Sequence, residues 1–111
     1  MDLVAYPKCN EIWLVSLEPT IGSEIRKTRP CIVVSPNEIN RLLRTVIIAP
    51  LTSTIKSYPT RLTIVFQSRE SSVALDQIRS VDKSRLLRKL GNLNSEDSQT
   101  VSNILVTMFI H

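Results

Sequence analysis

The sequence predicts a mainly β domain closed by a C-terminal helix, an α+β fold, and three observations carry that prediction. Short runs rich in β-branched and aromatic residues recur about every 10 to 15 residues, the spacing of a small barrel or sandwich. Pro, Asn, Ser and Gly separate these runs, and no repeat or low-complexity segment interrupts them. The tail of the chain then changes from a strand period to a helical one. With 111 residues the chain is expected to be a single domain, residues 1–111. That length supports a core without disulfide or metal staples.

Residues 11–17 (EIWLVSL) read as the first strand and 31–35 (CIVVS) as the second. Residues 45–51 repeat the pattern, with Pro50 expected to interrupt pairing near the strand's end. Residues 61–66 (RLTIVF) and 72–80 (SVALDQIRS) complete the set, and a short helical turn is expected around 82–87. In the tail, Val101, Ile104, Leu105, Met108 and Phe109 follow i, i+3, i+4, i+7, i+8 spacing, one apolar face of a helix over 95–110. Asn94 or Ser95 supplies its cap, and Glu96 and Asp97 the first-turn acids. Two connections are long enough to be functional: 18–28, with Pro19 and Gly22, and 53–59, with Lys56 and Tyr58.

Fourteen Lys and Arg against ten Asp and Glu leave a net charge of +4. The excess is unevenly placed: residues 1–40 hold four basic and five acidic side chains, residues 41–91 ten and three, and the rest only two acids. The middle of the chain therefore holds the whole basic surplus, which suits phosphate-bearing or acidic partners. One histidine, His111, and two cysteines, Cys9 and Cys31, are too few for zinc, which takes about three or four such ligands. No metal or cofactor is expected, and the commonest general base is missing. Cys31 lies in an apolar run and reads as a small buried hydrophobe, with a disulfide to Cys9 left open. Apolar runs such as 46–51 are far too short to span a bilayer, and no signal-peptide pattern starts the chain. A cytoplasmic protein without a membrane partner is expected.

The segment 19–36 (PTIGSEIRKTRPCIVVSP) runs from a Gly-Ser loop through Arg-Pro into a strand, which places Glu24 and Arg29 at the strand's mouth. The third strand ends in Thr52-Ser53-Thr54, whose hydroxyls are expected at the same rim. These residues, with Glu11-Ile12-Trp13, Pro19-Thr20, Gly22-Ser23-Glu24, Arg29-Pro30, Val33, Ser35-Pro36, Pro50, Thr52 and Asp76-Gln77-Ile78-Arg79, carry a resemblance. In that order and spacing the chain resembles the MazF/PemK family of toxin endoribonucleases from type II toxin–antitoxin systems. The likeness runs from about residue 10 to the C-terminus.

The resemblance implies a small SH3-like β-barrel of the CcdB/PemK type with a C-terminal helix, assembled as a homodimer. It implies metal-independent, sequence-specific cleavage of single-stranded mRNA to a 2′,3′-cyclic phosphate and a 5′-hydroxyl. It also implies neutralisation by a cognate MazE-like antitoxin with an acidic, disordered tail. Arg29 matches the family's catalytic arginine, and its fork suits phosphate oxygens while its high pKa makes it a stabiliser rather than a proton donor. Thr52 matches the catalytic threonine, and Glu24 is the nearest carboxylate for a base. Taken singly, these three read as a salt bridge at a strand start, a turn hydroxyl and a solvated loop acid.

For RNA binding, Arg26, Lys27 and Lys56 offer cations, Ser53 a hydroxyl, and Tyr58 a stacking surface suited to an unpaired base. Gln77 reads either as a reader of a base edge or as a buried amide, and Trp13 as core rather than a base platform. Two departures from the family pattern stand out. Asn10 replaces a glycine and tolerates a left-handed turn nearly as well, while the absence of glycine at Arg26-Lys27-Thr28 makes that loop stiffer and more basic. The competing reading is a non-catalytic, CcdB-like toxin that binds a protein such as DNA gyrase.

Overall fold

The computed structural model describes residues 6–17 and 27–110, so Glu24 and Arg26 lie outside the described residues. Among the described residues, seven strands and two helices follow in order: β1 (Glu11–Ser16), β2 (Thr28–Val33), α1 (Asn37–Leu42), β3 (Thr45–Thr52), β4 (Arg61–Phe66), β5 (Arg69–Ala74), β6 (Arg79–Asp82), β7 (Leu86–Asn92) and α2 (Ser95–Phe109). All pairings are antiparallel, in the order β4-β5-β3-β2-β1-β7, with β6 also on β3. The sheet curls far enough to bring its two ends together. A methyl group on Gly91 of β7 would lie 3.9 Å from the Phe66 ring of β4, at the opposite end of the strand order. The expected small barrel is thus a curled half-barrel.

Strand β3 holds the curl together. It pairs with β2 on one side through Ile48, Ala49 and Pro50, and on the other with β6 through Thr45 to Ile48 and then β5 through Leu51 and Thr52. Pro50 does not end the strand as expected. It stands opposite Cys31, at the changeover from β6 to β5, where a residue without an N–H is tolerated.

Alternation along β2 and β3 divides the core in two. Ile32, Ala49 and Leu51 join Ile12, Ile64, Val73, Leu75 and Val101 on one face, covered by Ile104, Leu105 and Met108 of α2. Cys31, Val33 and Ile48 join Val15, Val46 and Val81 on the other, with Trp13 and Leu86 against them. Burial on both faces is why residues 31–34 read as continuous apolar sequence rather than as an alternating strand. Helix α2 forms as expected, with the Asn94 side chain accepting the Asp97 N–H at 2.7 Å. Phe109, however, is 65% exposed, because eight residues of helix turn it about 80° away from Val101.

Other expectations are corrected in detail. The second strand begins at Thr28, takes in Arg29 and Pro30, and ends at Val33. The run 72–80 is not one strand: a 3₁₀ turn at Leu75–Gln77 breaks it, buries Leu75, and leads into β6. The turn near 82–87 is the 3₁₀ segment Lys83–Arg85. Both α1 and β7 go unforeseen. Helix α1 is held by a buried polar exchange in which Ser35 Oγ meets Asn40 Oδ1 at 2.5 Å and Asn40 Nδ2 donates to the Ser35 carbonyl at 2.8 Å. Strand β7 (LLRKLGN) is mostly exposed, so its sequence shows no apolar alternation. Both cysteines are free, and Cys31 is fully buried.

Three described residues, at two turns, take left-handed conformations. Asn10 has φ 74°, as the departure from glycine at that site allows. Gln67 and Ser68, the two residues between β4 and β5, have φ 53° and 65°. A two-residue hairpin with both central residues left-handed favours Asn-Gly, and L residues there carry strain of about 1–2 kcal/mol each.

Candidate active site

Arg29 is held in extended backbone by β2 and by the proline that follows it, since a residue before proline is excluded from helical conformation. Its guanidinium reaches across to β3, where Nη1 donates to the Leu51 carbonyl at 3.4 Å, a long contact that leaves the rest of the fork free to bind. Thr52, the last residue of β3, follows directly. Its Oγ1 accepts the Thr54 N–H at 3.1 Å, so the turn occupies a lone pair and leaves the hydroxyl proton available to donate. The two strands thereby bring Arg29 and Thr52 to one cavity of about 490 Å³.

The chemistry of that cavity is one-sided. Hydroxyls of Thr28, Thr52, Ser53 and Ser71 line it together with two guanidinium groups, those of Arg29 and Arg69, and no carboxylate does so among the described residues. Beside it, burial pushes the Cys31 thiol up to about 12 against the pull of the Arg29 and Arg79 charges. Cys31 is therefore a neutral thiol at ordinary pH and no nucleophile. Among the described residues, no three of His, Cys, Asp and Glu gather where they could hold a metal ion.

The other candidates separate. Ser53 lines the cavity; Lys27, exposed, precedes its Thr28; and Lys56 and Tyr58 sit farther along the loop, outside the lining. Tyr58 belongs to a second cluster, with Lys56 Nζ 5.9 Å and the Arg61 guanidinium 5.3 Å from its ring centre. Arg61 is engaged by Asp76 through Nε–Oδ1 at 2.6 Å and Nη2–Oδ2 at 3.1 Å, and Thr60 Oγ1 donates to Oδ1 at 3.0 Å. The Arg61 fork, with help from Thr60, holds the Asp76 carboxyl at about 2, well below the usual carboxylate range. Gln77, next in the chain, is exposed on the 3₁₀ turn and is not the buried amide that was its other reading. Trp13 packs against the second core cluster, its indole N–H donating to Glu11 Oε1 at 2.9 Å.

Four lining residues escape sequence reading: Phe66, Gln67, Arg69 and Ser71. They flank and form the β4–β5 hairpin, whose Gln-Ser turn lacks the Asn-Gly signal and whose arginine looks like any other in a basic segment. Only the curl of the sheet brings that hairpin tip to Arg29.

Comparison with known proteins bears on the family and the fold. Endoribonuclease EndoA of Bacillus subtilis is 33% identical over 104 residues, covering 88% of this chain and 90% of its own. A crystal structure of MazE–MazF from Deinococcus radiodurans superposes with a TM-score of 0.79 at 26% identity, covering 95% of this chain and 96% of that one. A mycobacterial endoribonuclease in complex with its cognate antitoxin superposes with a TM-score of 0.78 at 22% identity, covering 91% and 92%. The model of the PemK-like, MazF-like toxins of type II toxin–antitoxin systems matches residues 8–109. With β2 and β3 delivering Arg29 and Thr52 to one cavity and the family model spanning nearly the whole chain, this protein belongs to the PemK/MazF toxin family.

Proposed function

We propose that this chain is an endoribonuclease toxin that cuts single-stranded mRNA and is neutralised by a MazE-like antitoxin. The observation that carries the reading is the cavity that joins Arg29 and Thr52, to which no described residue brings a carboxylate and whose cations suit a phosphate. In the reaction, the 2′-oxygen attacks the adjacent phosphorus, its proton passes to a base, and the bond from phosphorus to the 5′-oxygen breaks as that oxygen takes a proton from solvent water. The products are a 2′,3′-cyclic phosphate and a 5′-hydroxyl. Arg29 stabilises charge on the phosphorane through paired N–H donors, the job for which a permanently charged fork is suited. Thr52 donates its free hydroxyl proton to a phosphate oxygen. Glu24 is the proposed base, and it enters from the segment outside the described residues.

Around this centre, Arg26, Lys27, Ser53 and Lys56 bind the RNA backbone, and Tyr58 and Gln77 meet exposed bases by stacking and hydrogen bonding. Cutting mRNA arrests translation and growth. The acidic antitoxin tail competes for the same cationic surface, and two copies of the chain pair as a homodimer. Exposed Val106, Phe109 and Ile110 at the end of α2 supply apolar surface suited to such pairing.

The test is incubation of purified protein with a long single-stranded RNA in EDTA, followed by mapping of the cut ends. Cleavage with cyclic-phosphate ends is expected, without any added metal. Intact RNA beside gyrase-dependent growth arrest would turn the reading to a CcdB-like toxin.

A further inference from the structure

We propose that Arg69, at the foot of the β4–β5 hairpin, holds a second RNA phosphate next to the one being cut. The inference rests on the RNA-cleaving reading and goes beyond it by naming a second binding position and the element that supplies it. Four observations converge on the hairpin. Arg69 lines the same cavity as Arg29 and Thr52. Its side chain makes no hydrogen bond or ion pair with any described residue, whereas Arg61, Arg79 and Arg85 are each engaged, by Asp76, the Leu17 carbonyl and the Ser16 carbonyl. The cavity, at about 490 Å³, falls in the range of roughly 300–1,000 Å³ usual for small-ligand sites, large for a single phosphate group. A lone phosphate also needs one guanidinium fork, and this cavity has two.

The hairpin fixes the backbone that carries that second fork. Arg69 pairs with Phe66 across the two-residue turn, so its backbone is set by the sheet rather than by a loop. The turn itself stays left-handed at Gln67 and Ser68 despite the strain, and this keeps the hairpin tip over the cavity. A single-stranded substrate then meets one cation from β2 and one from β5, on opposite sides of the Thr52 end of β3. Successive phosphates occupy the two forks, which fixes how the strand threads past Thr52.

Steady-state cleavage of a short RNA carrying the mapped cut site tests this, with wild type run first. A wild type that leaves RNA intact would remove the cleavage reading along with this one. With an active wild type, Arg69→Ala is expected to raise KM about tenfold while kcat stays within about twofold, since one charged contact to bound RNA is lost. The slope of log affinity against log salt should fall by about 0.7, the share of one phosphate on a single strand. Arg69→Lys should keep that slope and lose part of the affinity, and Arg41→Ala, on α1, should change neither. A neutral methylphosphonate placed at each phosphate in turn locates the contact. Wild type should lose affinity at a position beside the cut where Arg69→Ala is indifferent. Wild-type KM and salt slope in Arg69→Ala, or equal sensitivity of both proteins at every position, would overturn the proposal while leaving Arg29 and Thr52 in their roles.

Discussion

Arg29 and Arg61 have similar settings and opposite chemistry. Each lies near a threonine hydroxyl and an aromatic ring, Arg29 with Thr52 and Phe66, Arg61 with Thr60 and Tyr58. What separates them is one carboxylate. Asp76 takes both arms of the Arg61 fork, so that charge is neutralised inside the protein, and the cluster ties the 53–60 loop to the turn that carries Gln77. No described carboxylate reaches the Arg29 cavity, so among the described residues its charge has no counter-ion. A guanidinium whose anion the fold supplies is a fastening, and one without such an anion is open to the binding role proposed for Arg29.

The largest effect should come from breaking the cavity itself. Arg29→Ala and Thr52→Ala are each expected to lower kcat/KM for RNA cleavage by at least about 100-fold, the scale of losing one oxyanion donor. Arg61→Ala should stay within about threefold, because its charge is already spent on Asp76. Single-turnover cleavage of one defined RNA compares all three. An Arg61→Ala loss as large as that of Arg29→Ala would erase the distinction between the clusters.

A smaller effect should follow from making the cavity resemble the Arg61 cluster. Ser71→Asp introduces a carboxylate among the lining residues, where it would pair with Arg29 or Arg69 and repel phosphate. Affinity for RNA should drop about tenfold or more, by like-charge repulsion, with the fold intact by circular dichroism. Unchanged affinity would mean that the cavity is not where RNA binds.

The difference between the clusters was only half legible in the sequence. Arg29 and Thr52 were singled out because they match residues of the family that the chain resembles, and apolar runs and prolines put both near strand ends. Their meeting follows from one antiparallel pairing of neighbouring strands, the commonest connection there is. Arg69 was not readable, since its approach depends on β3 changing partners from β6 to β5 and on the curl that carries β4 round to β7. The Asp76–Arg61 pair spans fifteen residues, and nothing local marks either partner as the other's counter-ion. In the fold, the doubly buried β2 and the capped α2 announced themselves. The exposed β7 and the short α1, whose stability lies in the buried Ser35–Asn40 contact, did not.

The Asp76 pair also makes a prediction about acid. Its carboxyl sits at about 2 in the folded chain, chiefly through the Arg61 hydrogen bond, against about 3.9 for an unperturbed aspartate. A depressed carboxyl stabilises the fold above its unfolded value, and that contribution is lost as pH falls through the folded one. The window therefore runs from about pH 4 down to about pH 2. Solvent screening keeps the effect modest, since Asp76 is exposed. Urea midpoints measured across this window should fall less steeply for Asp76→Asn than for wild type. An identical acid slope in both would mean that the pair contributes nothing to stability. Neutralising Asp76 also frees Arg61, so the same variant should bind RNA with a slightly steeper salt dependence.

The smallest effect concerns Ser72, which faces Thr52 across the β3–β5 pairing and Thr63 across β4–β5. Its hydroxyl is fully buried and has no hydrogen-bond partner among the described residues. Thr52, by contrast, has its oxygen held by the Thr54 N–H and its proton free at the cavity. Register neighbours of similar chemistry thus differ as the two arginines do, in whether a partner has been supplied. Removing a buried hydroxyl that makes no bond relieves its desolvation, so Ser72→Ala should leave stability unchanged or raise it by up to about 1 kcal/mol. Cleavage should be unaffected. A cleavage loss in Ser72→Ala approaching that of Thr52→Ala would show that the buried hydroxyl is tied to that of Thr52, and that the boundary of the site lies one strand deeper than the cavity wall.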